Sequence, residues 1–144
     1  LARQLALYVG IYSPIQMVAD RPEHYAQHPQ AVQCIKDVAV DWEQSRVLNG
    51  EVGQYATIVR QARGSGEWFL GSVGGDQTRA LQVSLSFLDP GRDYRAEIYR
   101  DGAHAHWQNA PFEFERQVRQ VRSTDTLDLH LAAGGGQAIR FVPM

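Results

Sequence analysis

The residues with the strongest claim to chemistry lie in the stretch RDGAHAHW, Arg100 to Trp107, where Asp101 stands close to His104 and His106. In an extended segment the two histidines share a face, and a third ligand would complete a metal site. The surrounding glycine and alanines instead suit a solvated loop anchored by Trp107. Glu113 and Glu115 alternate with Phe112 and Phe114, as outward charges on a strand do. Paired carboxylates in glycoside hydrolysis must flank a sugar about 5 to 9.5 Å apart, and two acids on one face of one strand reach that arrangement only by accident. Glu67 lies beside a turn and Glu51 near the start of a strand, places where acids are commonly solvated. Cys34, the single cysteine, falls in a helical pattern without a base to activate it, and reads as a half-buried small residue. Asp20 differs from all of these. It follows the apolar run IQMVA, and the carboxyl ends of parallel strands face the ligand site in α/β architecture. The second role open to it is capping a helix that begins near Pro22.

The glycine-rich stretches carry no nucleotide signature. GSGEWFLG is followed by a strand, whereas a dinucleotide fingerprint needs a helix whose N-terminus meets the pyrophosphate. GGGQ lacks the Lys-Ser/Thr of a phosphate loop and reads as a turn with positive φ. Trp42, Trp68 and Trp107 could form a stacking platform for sugar, although tryptophans are more often core or interface residues.

The elements that position these residues fall into two regimes. From Leu1 to Ile11 the apolar residues recur at helical spacing, and Ser13-Pro14 ends the pattern. Ile15 to Ala19 is expected to be a strand buried on both faces. Arg21 to Ile35 is expected to be a helix, with Pro22 in its first turn and Tyr25, Val32 and Ile35 facing inward. After Asp41 the period changes to two. Tyr55–Arg60 and Trp68–Val73 flank RGSG as a hairpin. Alternation at Leu81, Val83 and Leu85 marks a further strand, as does Tyr94–Tyr99 after the turn Asp89-Pro90-Gly91. Phe112–Glu115, Leu127–Leu131 and Ala138–Val142 complete seven or eight short strands, the pattern of an antiparallel β-sandwich. The fold class is therefore mainly β, with residues 1–38 forming a helix–strand–helix passage and residues 39–144 a sandwich. With 144 residues and a net charge of -2, the chain fits one ordinary domain and has no electrostatic footprint for nucleic acid or an anionic membrane. No run reaches the roughly 18 apolar residues of a membrane span. Because Leu1 opens mid-pattern, without a start methionine, signal peptide or cap, the chain is expected to be cut from a longer polypeptide.

Five blocks in collinear order carry a family resemblance: SPIQMVADRPEHY (Ser13–Tyr25), VLNGEVGQYATIVR (Val47–Arg60), WFLGSV (Trp68–Val73), LSFLDPGRDYRAEIYRDG (Leu85–Gly102) and GGGQAIRF (Gly134–Phe141). Together they resemble the C-terminal part of glycoside hydrolase family 97, the α-glucosidase and α-galactosidase group. Gly10 and Arg21 depart from the family pattern, standing where an apolar residue and a leucine are expected. The resemblance implies that Leu1 to about Val38 is the last passage of a (β/α)-barrel catalytic domain, and that the sandwich closes the enzyme. It also implies that the catalytic glutamates and the carboxylates holding a calcium ion lie upstream of Leu1. The chain then has no catalytic residue, cofactor or metal of its own, and Asp20 is its one substrate-proximal candidate. Its partners are the rest of the barrel and a possible second copy, with oligosaccharide met only through the parent enzyme. The family also suggests a bacterial periplasmic or secreted setting. A carbohydrate-binding sandwich with exposed tryptophans is the competing reading, and an independent enzyme is a third.

Overall fold

The computed structural model describes residues 1–144. The first helix, α1 (Ala2–Gly10), buries Ala2, Leu5, Ala6 and Val9, a spacing of three, four and seven that draws one apolar stripe along a helix. It stops before Ser13-Pro14, as the sequence predicts. The segment after it departs from expectation. Ile15 to Ala19 forms no strand, and Ile15 and Met17 are 72% and 81% exposed. The physical reason is that a strand buried on both faces exists only between partners, and no strand of this chain lies beside it. The expected helix from Arg21 to Ile35 is two helices, α2 (Pro22–Tyr25) and α3 (Pro29–Asp37). Pro29 supplies no N–H and biases His28 away from helical geometry, so it restarts the helix rather than continuing it.

From Trp42 onward the chain is β-structure: β1 (Trp42–Glu51), β2 (Tyr55–Ala62), β3 (Trp68–Gly74), β4 (Arg79–Ser84), β5 (Tyr94–Asp101), β6 (Phe114–Val121), β7 (Thr126–Leu131) and β8 (Gly136–Pro143). Six strands form one sheet in the order β1-β2-β3-β8-β5-β6, while β4 and β7 pair as a second. Every pairing is antiparallel. The sequence shows no sign of β1, which is mostly polar and lies at the sheet edge. Glu51 ends it, opposite Tyr55, rather than opening a strand. The strand expected at Phe112–Glu115 begins instead at Phe114, and Phe112 is exposed. Leu85 lies just beyond the end of β4.

A two-stranded sheet cannot cover a six-stranded one. The segment after β4 closes the difference, placing Leu85, Phe87 and Leu88 in the main core with Trp68, Leu70, Ile139 and Phe141. Phe87 packs edge-on against Phe141 at 5.5 Å and tilts against Trp68 at 5.2 Å between ring centroids, geometries that favour the ring quadrupoles. The Asp89-Pro90-Gly91 turn is closed by the Tyr94 hydroxyl, which donates to Asp89 Oδ2 at 2.9 Å.

The opposite face of the large sheet carries α1. Gly71 of β3 lies beneath the helix so closely that a Cβ there would stand 2.4 Å from the carbonyl oxygen of Ala6 and 3.2 Å from the backbone nitrogen of Gly10. At Gly136 of β8 a Cβ would lie 2.7 Å from the Cα of Arg3. Backbone seats on backbone at both points, so no side chain can yield. We expect Gly71→Ala to lower stability by about 1–3 kcal/mol, the range for overpacking, read as a shift of the urea midpoint of this chain. An unchanged midpoint would mean that α1 is not seated on the sheet.

Candidate functional site

The acids with candidate chemistry each have a local partner. Asp101, at the end of β5, is buried, and its Oδ2 accepts the backbone N–H of Ala132 at 2.9 Å and of Gly136 at 2.8 Å. Burial pushes its carboxyl above the usual range against the pull of those two donors. It ties the turn between β7 and β8, where Gly134 has the positive φ of 67° expected of GGGQ. Glu113 accepts the backbone N–H of His104 at 2.9 Å. His104, His106 and Asp101 do not converge, and no group of three or more His, Cys, Asp or Glu residues is placed to hold a metal ion. Glu115 holds Arg100 at 2.8 Å, and Gln54 Nε2 donates to the exposed Glu51.

Glu67 belongs to a cluster that the sequence does not reveal. Arg140, in the middle of β8, reaches Asp37 at 2.9 Å, Glu67 at 2.9 Å and Glu97 at 3.9 Å. Glu97 is buried and also meets Arg95 at 3.1 Å and Arg116 at 3.8 Å. Asp37 closes α3, so Arg140 joins that helix to the sheet. A lone arginine within the apolar run AIRF is the signal that was available, since a charge at a core strand position requires a partner. Arg60 of β2 does similar service for α1. Its Nε donates to the Val9 carbonyl at 2.7 Å and its Nη1 to Ser45 Oγ at 2.6 Å, setting a cation at a helix C-terminus that has none of its own.

The tryptophans do not make a platform. Trp42 and Trp68 are buried, at 8% and 2% exposure, and Trp107 alone is exposed, at 56%. Its Cβ abuts Gly134.

What remains open is an apolar ledge on the helical side. Ile11, Tyr12, Ile15, Met17 and Val18 are all exposed. Between this segment and helices α2 and α3 runs a cleft of about 650 Å³, lined by Tyr8, Met17, Val18, Asp20, His24 and Phe112 among others. Tyr8 holds the segment by donating from its hydroxyl to the Met17 carbonyl at 2.9 Å. Asp20 lies on this cleft. Its Oδ1 accepts the Arg21 N–H at 2.7 Å and lies 2.6 Å from His24 Nδ1. The Arg21 N–H, followed by His24, holds its carboxyl below the usual range. Asp20 does not cap α2 in the usual way, because the N-cap position is Arg21 and no side chain bonds the helix start.

The chain is thus a β-sandwich with a docked helical segment and an uncovered apolar ledge. Residues 41–142 match the family model described as glycosyl-hydrolase 97 C-terminal, oligomerisation, and the chain belongs to that family. It is 34% identical over 138 residues to a retaining alpha-galactosidase of Bacteroides thetaiotaomicron, covering 96% of this chain and 20% of that protein. A probable retaining alpha-galactosidase of Streptomyces bingchenggensis is 31% identical, with 95% and 20% covered. Among solved structures, a glycoside hydrolase family 97 enzyme from Pseudoalteromonas sp. strain K8 in complex with acarbose superimposes with a TM-score of 0.97 at 45% identity, covering 99% of this chain and 22% of that one. A beta-arabinopyranosidase at 22% identity and a TM-score of 0.78 shares the fold. The chain spans about a fifth of the length of the curated relatives it matches.

Cys34 sits half-buried on α3, packed against the small cluster of Leu5, Ala31, Tyr99 and Ala138. Burial first, and then the negative charges of Asp37 and Glu97, push its thiol up to about 12. Since the thiolate is the reactive form, we expect Cys34 in the folded chain to resist a disulfide reagent at pH 8 and to react at once in denaturant. Equal rates in both states would contradict this placement.

Proposed function

We propose that this chain is the non-catalytic C-terminal portion of a family 97 α-glycosidase, stabilising the catalytic barrel and contributing to subunit contacts. Residues 1–38 are the barrel's last passage and residues 39–144 the sandwich that closes it. The single observation that carries the reading is the ledge of Ile11, Tyr12, Ile15, Met17 and Val18. These residues lie on one short segment without a cover, Ile11 to Val18, and α1 fixes its base to the sandwich through backbone contact. A surface of that kind is what a neighbouring domain buries. In the parent enzyme Ile15 to Ala19 joins the barrel's strands and takes the extended form that it lacks alone.

The bond-breaking carboxylates and the calcium ligands then belong to the polypeptide before Leu1, and the acids here hold the domain together. Calcium, which the family resemblance implies, would supply positive charge at the parent's site; no group of three or more His, Cys, Asp or Glu residues of this chain is placed to hold it, and Asp101, Glu67 and Glu115 are bonded to backbone or arginine. The names of the relatives support α-galactosides as the parent's substrates, and the family resemblance supports a periplasmic or secreted setting in a bacterium. Oligosaccharide reaches this chain only through the parent, where Asp20 lies beside the substrate.

Hydrolysis of nitrophenyl α-galactoside and α-glucoside by the full-length protein, with none by residues 1–144 alone, is the expected result. Turnover by the isolated chain, or a saturable tryptophan fluorescence change on adding oligosaccharide to it, would overturn the reading in favour of an enzyme or a sugar-binding module. For Asp20, Asp20→Asn in the full-length protein is expected to lower kcat/KM by about tenfold or more, at least ~1.4 kcal/mol of transition-state stabilisation, with unchanged thermal stability. An unaltered kcat/KM confines Asp20 to its contact with His24.

A further inference from the structure

The large sheet has two open edges, and they are not equivalent. Along β1 the register slips twice, between Trp42 and Gln44 and again between Val47 and Asn49. Such bulges redirect the outward groups and blunt an edge against pairing. The other edge, β6, pairs with β5 over eight residues without a slip. It is also longer than either strand of the small sheet, and Arg116 to Gln120 are all exposed along it.

The hydrogen-bond phase of β6 follows from its neighbours. Gly102 N–H donates to the Glu113 carbonyl at 3.3 Å, in the same register that carries Asp101 opposite Phe114. In an antiparallel ladder the bonded pairs alternate, so Glu115, Gln117, Arg119 and Val121 turn their backbone groups toward β5. Phe114, Arg116, Val118 and Gln120 turn theirs outward. The far side of β5 agrees. Met144 N–H donates to the Asp93 carbonyl at 2.9 Å, which directs Arg95, Glu97 and Tyr99 to β8 and leaves Ala96, Ile98 and Arg100 for β6. No turn or loop hydrogen bond takes up the outward groups of β6.

We propose that β6 pairs antiparallel with β6 of a second copy of the chain, across a two-fold axis at Val118, joining two six-stranded sheets into one. The proposal deepens the oligomerisation reading and rests on it. Around Val118 the sequence reads R-Q-V-R-Q. With Val118 opposite its own counterpart, Arg116 meets Gln120 and Gln117 meets Arg119, on both sides of the axis. Each guanidinium faces an amide that can accept from it, and two valines meet at the centre. Setting Arg116 opposite Arg119 instead would place an outward residue against an inward one, which the ladder forbids. The strand is thus self-complementary, as a closed two-fold interface demands, and the pairing ends with the dimer rather than growing.

Sedimentation equilibrium of the full-length protein tests this. The wild type is expected to be a dimer and Val118→Pro a monomer with wild-type activity, because the lost N–H points away from β5 and removes no bond of the fold. Gln117→Glu should tighten the dimer dissociation constant roughly 2- to 30-fold by facing Arg119 of the second copy with a carboxylate at two places, and Gln117→Arg should weaken it. If Val118→Pro fails to fold, these opposite shifts decide the matter. A dimer unaffected by all three substitutions overturns the β6 interface and leaves oligomerisation standing. A wild type that is monomeric at every concentration overturns both.

Discussion

The contact on which the rest of this structure depends is the seating of α1 directly on the backbone of β3 and β8. Helices usually stand off a sheet by the thickness of their side chains, and here the absence of a side chain at Gly71 and Gly136 removes that spacer. The closeness leaves the small and medium side chains of Ala2, Leu5, Ala6 and Val9 almost wholly buried, Leu5 clustered with Tyr99 and Val9 with Trp42 and Phe69. It also brings the last carbonyls of α1 within reach of Arg60, which supplies the positive charge that the helix C-terminus lacks. The helical segment is fixed to the sheet at this joint and again through α3, by Arg140 on Asp37 and by Ala31 beside Tyr99 and Ala138.

The second organising feature is the inequality of the two sheets. Six strands face two, and the main core is completed by a turn segment carrying Leu85, Phe87 and Leu88. The aromatic packing of Phe87 on Trp68 and Phe141 makes that segment part of the sandwich despite its irregular backbone. On the helical side, cohesion is partly ionic. Arg140 gathers Asp37, Glu67 and Glu97 and so couples α3 to the sheet. Removing one member of such a partly buried set leaves the others uncompensated, so the cluster behaves as a unit.

These arrangements account for the acids with candidate chemistry. Asp101 fastens a turn, Glu113 a loop, Glu115 a cross-strand arginine and Glu67 the ionic hub, and each has given its oxygens to the fold. The family to which the chain belongs is described by its place at a C-terminus and by oligomerisation, and the features left over after the fold is satisfied are surfaces: an apolar ledge at one side and an unbroken strand edge at another.

The sequence by itself determined the change of period near residue 40, most of the strands beyond it, the RGSG hairpin, the first helix and the family resemblance, because alternation and turn residues act locally and leave local traces. It did not reveal β1, whose polar residues lie on an edge with little to bury, nor the break at Pro29 inside an otherwise helical pattern. Tertiary structure alone decided that Ile15 to Ala19 forms no strand in this chain, since a buried strand draws its hydrogen bonds from other elements. It alone brought Arg140 to its three acids and Arg60 to α1, because those partners lie far apart along the chain and meet only when the sheet forms. The fate of each carboxylate was settled the same way, by which arginine or backbone N–H the fold set beside it.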